Sequence, residues 1–479
     1  MSVTAAEGFV ASGCHAGIKR RKFDMALLAT DDGNPVSCVA VFTQNKFAAP
    51  PVEFDRKLLT ASGGKASALI VNSGNANAGT GEPGYRDTEV MGAKAADALG
   101  VDAQHVLVCS TGIIGTPLPM GPILSATPKL AKKLSVDGGH DAARGILTTD
   151  HKTKEVLIKG STFTLGGMAK GCGMIAPNMA TMLAFLTTDA DVPMKIMQNA
   201  LKDASDATFN TLNVDGATST NDTAMLFASG RRGKADPEEF AKAVLAACED
   251  LTMQMARDAE GMTRIARLVV TGASNDNEAR IAAKNIVENN LVKCSWYGGD
   301  PYWGRLMAAA GSAGVEMDVA KSRVAYGGIV VAKAGTGIEH DGVALACRGM
   351  RLAWCGVDHR QPGGVRVRRA SSRLDAGRRS GRSRRSCGHH LFRRVAVDGR
   401  RRQRGASGGL RPLSSECQTD GALSERALPA LPARQPGRGS HHRRDRRTEV
   451  GGLAAGGKPD AYGARSDALA ARRLKRGQE

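Results

Sequence analysis

The chain has 479 residues, 42% hydrophobic, 4% aromatic and 24% charged, with 58 glycines and a formal net charge of +19. Length corresponds to about three domain equivalents and the apolar fraction suffices for a buried core, which excludes a mini-protein and a wholly disordered chain. No apolar run approaches the roughly 18 residues of a membrane span, and the basic stretch 19–22 is not followed by a signal-peptide segment, so a cytoplasmic protein with no membrane partner is expected.

In chain order, short apolar runs alternate with amphipathic stretches, which predicts a mixed α/β protein. Strands are expected at 67–72 and 105–109, each running into small polar residues: 72–81 (NSGNANAGTG) and 110–115 (STGIIG). Loops that begin where strands end are where a rigid scaffold presents functional groups. Further strands are expected at 182–187, 224–229 and 266–271, and a helix opening at 189–193. Asp236-Pro237-Glu238-Glu239 combines an N-cap acid, a first-turn Pro and a Glu three residues on, which predicts a helix over 237–256. Phe240, Val244, Leu245, Cys248, Leu251 and Met255 then form its core-facing stripe. A third helix is expected over 275–290, and Asp300-Pro301 reads as the N-cap and first residue of another. There is no internal repeat.

Past residue 347 the periodicity stops and the composition changes. Residues 347–479 hold 30 Arg and 2 Lys against 11 acids, net +21, whereas the remaining 346 hold 13 Arg and 21 Lys against 36 acids, net −2. Basicity therefore belongs to the tail, and the body gives no support for a nucleic-acid partner. An Arg-Gly-Ala-Pro excess with almost no Lys is what a GC-rich gene yields when read out of frame; a true basic extension is the other reading, and either way too little apolar surface is present to offset ordering entropy. The ten cysteines include no C-x-x-C pair and read as reduced, mostly buried thiols, and no metal or bound cofactor is expected.

The stretch 170–190, KGCGMIAPNMATMLAFLTTDA, places a hydroxyl, Thr181, directly before an apolar strand and after the small residue Ala180. Cleavage of the Ala180–Thr181 bond by an N-to-O acyl shift would free the Thr181 α-amine, whose reference pKa near ~8 lets it serve as base for its own hydroxyl. The stretch closely resembles the ornithine acetyltransferase (glutamate N-acetyltransferase) family, whose signature reads K-G-x-G-M-[IL]-x-P-x-[LM]-A-T-M-L. Further matches fall in order at 72–77, 109–112, 148–150, 214–216, 219–223, 258–261 and 300–305, so the resemblance covers about residues 3–346.

The resemblance implies an autoprocessed, layered α+β sandwich with an N-terminal Thr nucleophile, cut into chains 1–180 and 181–346 plus the non-matching tail 347–479. It implies Thr181 as nucleophile and substrate contact, Thr111 and Gly112 as the oxyanion-hole pair, and Thr148, Lys170 and Glu260 as substrate-binding residues. It also implies transfer of acetyl from N2-acetylornithine to glutamate in arginine biosynthesis, acetyl-CoA as a possible co-substrate, and an α2β2 assembly of cleaved chains. One departure stands out: the family continues with D-L-[ST]-x-x-Y-V-x-x-N-[SA]-x-Y-[ST]-[ST], and nothing after Ala346 matches.

Each residue also has a plainer reading. A Thr entering a strand is ordinarily a packing residue, Lys170 a solvated lysine, Glu260 an exposed acid beyond a helix, and Ser110-Thr111-Gly112 a turn. Cys172, between two glycines and near Lys170, invites a nucleophile reading, but a structural role is expected. An N-terminal nucleophile amidase or aminopeptidase shares the cleaved-Thr logic and differs in passing the acyl group to water; an inactive product with a basic, nucleic-acid-binding tail is the remaining alternative.

Overall fold

The computed structural model describes residues 2–175, 182–342, 345 and 353–358. Strands β1 (Phe9–Cys14), β2 (Met25–Thr30) and β3 (Val36–Phe42) precede helix α1 (Pro50–Ala61). Strands β4 (Lys65–Ala66) and β5 (Ala68–Asn75) lead to α2 (Gly81–Leu99), β6 (Val106–Ile113), α3 (Met120–Lys132) and α4 (Gly139–Gly145). Next come β7 (Lys154–Lys159), β8 (Thr164–Lys170), β9 (Leu183–Thr188), α5 (Met194–Ala207), β10 (Thr223–Ala228) and α6 (Pro237–Arg257). The last described part holds β11 (Ala266–Thr271), α7 (Asp276–Glu288), α8 (Asn290–Gly298), α9 (Trp303–Gly311), β12 (Arg323–Tyr326), β13 (Ile329–Lys333), β14 (Thr336–Gly337) and β15 (Ala353–Asp358).

The strands form three sheets, ordered β1-β2-β5-β6, β4-β3-β10-β9-β8-β7 and β11-β15-β12-β13-β14. The first two stack face to face. Leu28, Leu69, Leu107 and Cys109 of one sheet share a core with Met168, Phe185, Met225 and Phe227 of the other. Alternate residues of the same strands turn outward: Leu27, Ile70 and Val108 pack with Met91 of α2 and Ile123 of α3, while Leu165, Leu186 and Leu226 pack with Leu201 of α5 and Val244 of α6. Helix, sheet, sheet and helix are thus four layers of an α/β sandwich. A strand buried on both faces has no polar alternation, which is why β2, β9 and β10 are buried at every position.

Helix α6 begins as its sequence predicts, with the Asp236 carboxylate accepting the Glu239 N–H at 2.8 Å. The helix expected over 275–290 is α7, and it stops at Glu288 because the Asn289 side chain accepts the N–H groups of Leu291 and Val292 and starts α8 there. One helix expectation is corrected. Asp300-Pro301 does not cap α9, which starts at Trp303 after Tyr302. Instead Gly299, at φ 74°, ends α8, and the Asp300 N–H closes that end on the Ser295 carbonyl at 2.9 Å.

β15 also lies past the point where the sequence predicts no further element. It pairs in parallel with β11 and antiparallel with β12, so the partner strands supply hydrogen bonds that composition alone does not reveal. Ile286, Val292, Leu306, Val324 and Val331 form the core between this sheet and α7 to α9.

Candidate active site

The candidate residues gather at one end of the sandwich. β5 and β6 run parallel and end there together, with Ser73 paired to Thr111 and Gly74 to Gly112. In the facing sheet Lys170, the last residue of β8, pairs with Leu183, the first of β9, and Leu183 pairs with Thr223 of β10. Lys170 is 2% exposed and donates from Nζ to Thr111 Oγ1 at 3.4 Å, so it joins the two sheets where the loops open. With its oxygen accepting from Lys170, the Thr111 hydroxyl keeps its proton for another acceptor.

Gly112 has φ 140°, and a Cβ there would lie 2.2 Å from the Gly74 carbonyl carbon. Only glycine allows the two strand ends to meet in this way. Asn221 ties the surrounding loops together, donating from Nδ2 to the carbonyls of Ala76 (2.6 Å) and Ser110 (2.9 Å).

Thr148 sits on the loop after α4, where its N–H (3.0 Å) and hydroxyl (3.3 Å) both donate to Asp150 Oδ2. Buried Asp150 also accepts from Lys154 Nζ at 2.6 Å and from the Gly171 N–H at 2.8 Å. Burial works against its charge, but Lys170 and Lys154 prevail and hold the carboxyl below the usual carboxylate range.

Glu260 comes from the turn after α6. Its N–H donates to the Cys172 carbonyl at 2.7 Å, and the Thr149 hydroxyl donates to its Oε1 at 2.5 Å. A Cβ at Gly173 would lie 2.8 Å from the Glu260 carboxyl carbon, so the second glycine of the Lys170-Gly-Cys-Gly run makes room for that carboxylate. Glu260 also borders a cavity of about 320 Å³ that extends toward Lys293, Trp296 and Tyr297. Cys172 is 1% exposed, and burial, then the Asp150 charge, push its thiol up to about 11, which suits a packed thiol rather than a nucleophile.

Thr111, Gly112, Thr148, Lys170 and Glu260 therefore converge on one end of the fold. Ala180 and Thr181 lie outside the described residues. The residue after Thr181 is fixed: the Met182 N–H donates to Asp222 Oδ1 at 2.9 Å. Burial pushes the Asp222 carboxyl well above the usual range, and its Oδ2 has no hydrogen-bond partner among the described residues. Asp150 and Asp222 both fall inside the matched motifs, yet sequence assigns them no role, since their work is to hold backbone amides and that is visible only in three dimensions. No group of three or more His, Cys, Asp or Glu side chains is placed to hold a metal among the described residues.

A family model for the ArgJ family matches residues 10–348. The chain belongs to the ArgJ family. Among ArgJ relatives, the arginine biosynthesis bifunctional protein ArgJ of Caldanaerobacter subterraneus subsp. tengcongensis is 45% identical over 326 residues, covering 66% of this chain and 80% of that protein. That of Streptomyces coelicolor is 43% identical over 344 residues, covering 71% and 88%. Ornithine acetyltransferase of Mycobacterium tuberculosis, solved in complex with ornithine, matches at 39% identity and a TM-score of 0.36, covering 37% of this chain and 95% of that one. The ArgJ match ends two residues past Ala346, where the sequence pattern also changes.

Proposed function

We propose that this chain is a glutamate N-acetyltransferase of arginine biosynthesis that moves acetyl from N2-acetylornithine to glutamate through an acetyl-Thr181 ester. The observation that carries the reading is the Lys170–Thr111 contact beside Gly112, at the end of the fold where Met182 is anchored immediately after Thr181. Self-cleavage between Ala180 and Thr181 frees the α-amine of Thr181. That amine takes the hydroxyl proton as Thr181 Oγ attacks the acetyl carbonyl. The Thr111 hydroxyl and the Gly112 N–H stabilise the tetrahedral oxyanion. Collapse breaks the amide C–N bond, and the departing ornithine nitrogen takes the proton from the Thr181 amine. Glutamate then attacks the ester with its α-amine, its proton passing to the Thr181 amine and on to the released Thr181 oxygen.

In this reading Lys170 meets the substrate carboxylate, Thr148 makes a polar contact, and Glu260 takes the side-chain ammonium of ornithine. Acetyl-CoA would serve as a second acetyl donor on the same nucleophile, no bound cofactor is required, and the cleaved chains would assemble as α2β2 in the cytoplasm. No helix among the described residues is long and apolar enough to cross a membrane.

Thr181→Ala tests the proposal. Denaturing electrophoresis should show one uncut chain in place of fragments 1–180 and 181–479, with no acetyl transfer from acetylornithine to glutamate. Normal cutting of that variant would rule Thr181 out as the nucleophile.

A further inference from the structure

The proposed donor and acceptor present opposite side-chain charges to one pocket: ornithine ends in an ammonium and glutamate in a second carboxylate. Glu260 suits the first and repels the second, so a pocket that serves both needs a cation away from Glu260. The loop 147–149 has such an arrangement. At one end the Thr149 hydroxyl donates to Glu260 Oε1 at 2.5 Å; at the other the Leu147 carbonyl accepts from Lys19 Nζ at 2.7 Å. Thr148 lies between them.

Lys19 is held there by the chain around it. The Asp24 carboxylate accepts the N–H groups of Ala16, Gly17 and Lys19, which wraps residues 16–19 around one buried acid. The lysine stem runs across Gly74, where a Cβ would lie 2.8 Å from Lys19 Cγ. Its ammonium also donates to Ser73 Oγ at 2.9 Å, and Ser73 is the register partner of Thr111. Two of its three protons are thus used, and neither acceptor is a carboxylate. Burial pulls the ammonium down to about 8, against the opposing charges of Asp24 and Asp150 and with the help of Lys22 and Lys170. A half-buried cation with no direct carboxylate partner among the described residues is suited to a carboxylate brought by a ligand.

We propose that Lys19 is a specificity-determining residue that binds the side-chain carboxylate of glutamate, complementing Glu260, which serves the ammonium of ornithine. The assignment rests on the acetyl-transfer reading for the identity of its ligands, but direct binding to the intact chain tests it without turnover.

Calorimetric titration of wild-type protein, Lys19→Met, Lys19→Gln and Lys19→Arg with L-glutamate and with L-ornithine separates the outcomes. Loss of the charge should weaken glutamate by about 10–100-fold, the range for one charge-assisted hydrogen bond, with ornithine changed less than about threefold and Arg restoring part of the difference. Gln keeps a neutral N–H donor on a slightly shorter side chain, so it gives the same reading if Met disturbs the fold. Equal weakening of both ligands, no weakening of either, or no glutamate binding by the wild-type chain overturns the assignment. Failure of acetyl transfer with selective glutamate weakening intact would instead count against the proposed reaction alone.

Discussion

The Thr111 oxygen accepts from Lys170, so its proton is the part of the residue available to an oxyanion. Its neighbour in the proposed pair is a poorer experimental target, because any side chain at Gly112 runs into the backbone of Gly74 before it says anything about catalysis. Thr111→Ala removes one donor and leaves the strand pairing in place. We expect kcat to fall by about 10²–10³-fold with the urea midpoint little changed, as loss of a single oxyanion donor does elsewhere. Thr111→Ser should recover most of the rate. An unchanged kcat in the alanine variant would move the oxyanion hole to another loop.

Among the elements, β7 pairs along its length with β8 and is tied to the end of α6 by one buried charge. Lys154, its first residue, is 1% exposed and donates to Asp150 at 2.6 Å and to Asp258, at the end of α6, at 2.5 Å. It therefore ties the strand to the helix end that precedes Glu260 and to the loop that carries Thr148. Lys154→Met removes the cation shared by Asp150 and Asp258 and leaves Lys170 to offset the Asp150 charge alone. Removing one partner of a buried ion pair costs about 3–5 kcal/mol, which urea unfolding should show as a lower midpoint with an unchanged slope. A loss below about 1 kcal/mol would mean the pair is solvent-screened. Neither this triad nor the Asp222–Met182 bond was legible in the sequence. α6 was, since its start signal lies within four consecutive residues and its stripe within one helix. β11 was found at its observed limits, and β5, β6, β9 and β10 within a few residues, because buried apolar runs mark them. β1 to β4, β7, β8 and β12 to β15 were missed. β8 is made of Gly, Ala, Thr, Leu, Met and Lys, and its strand character comes from β7 and β9 on either side. The candidate site residues were named through the family resemblance, whereas the contacts of Lys19 with Ser73 and Leu147 were not legible, because the loop that presents it is organised by Asp24.

For the whole molecule, the open question is what the residues past the ArgJ match contribute. β15 lies between β11 and β12, and among the described residues it is the strand that pairs with β11. Ending the chain after residue 346 should therefore expose β11, and amide exchange over Ala266–Thr271 should accelerate by more than tenfold; ending it after residue 373 should leave that protection intact. Unchanged exchange in the shorter chain would mean that β15 adds nothing to the sheet. Activity obeys a different argument. The tail carries net +21 on a body of −2, its Lys share collapses, and the family's terminal segment does not appear in it. We propose that residues after about 347 come from a shifted reading frame and leave the substrate pocket without its last contacts. Resequencing the gene across codons 340–355 checks the frame directly. Joining the body to the other frame should raise kcat/KM for acetylornithine and glutamate by about 10²-fold, the cost of small misplacement in a positioned site. Equal activity in the 479-residue chain and the reframed one would establish the basic tail as a working replacement for that segment.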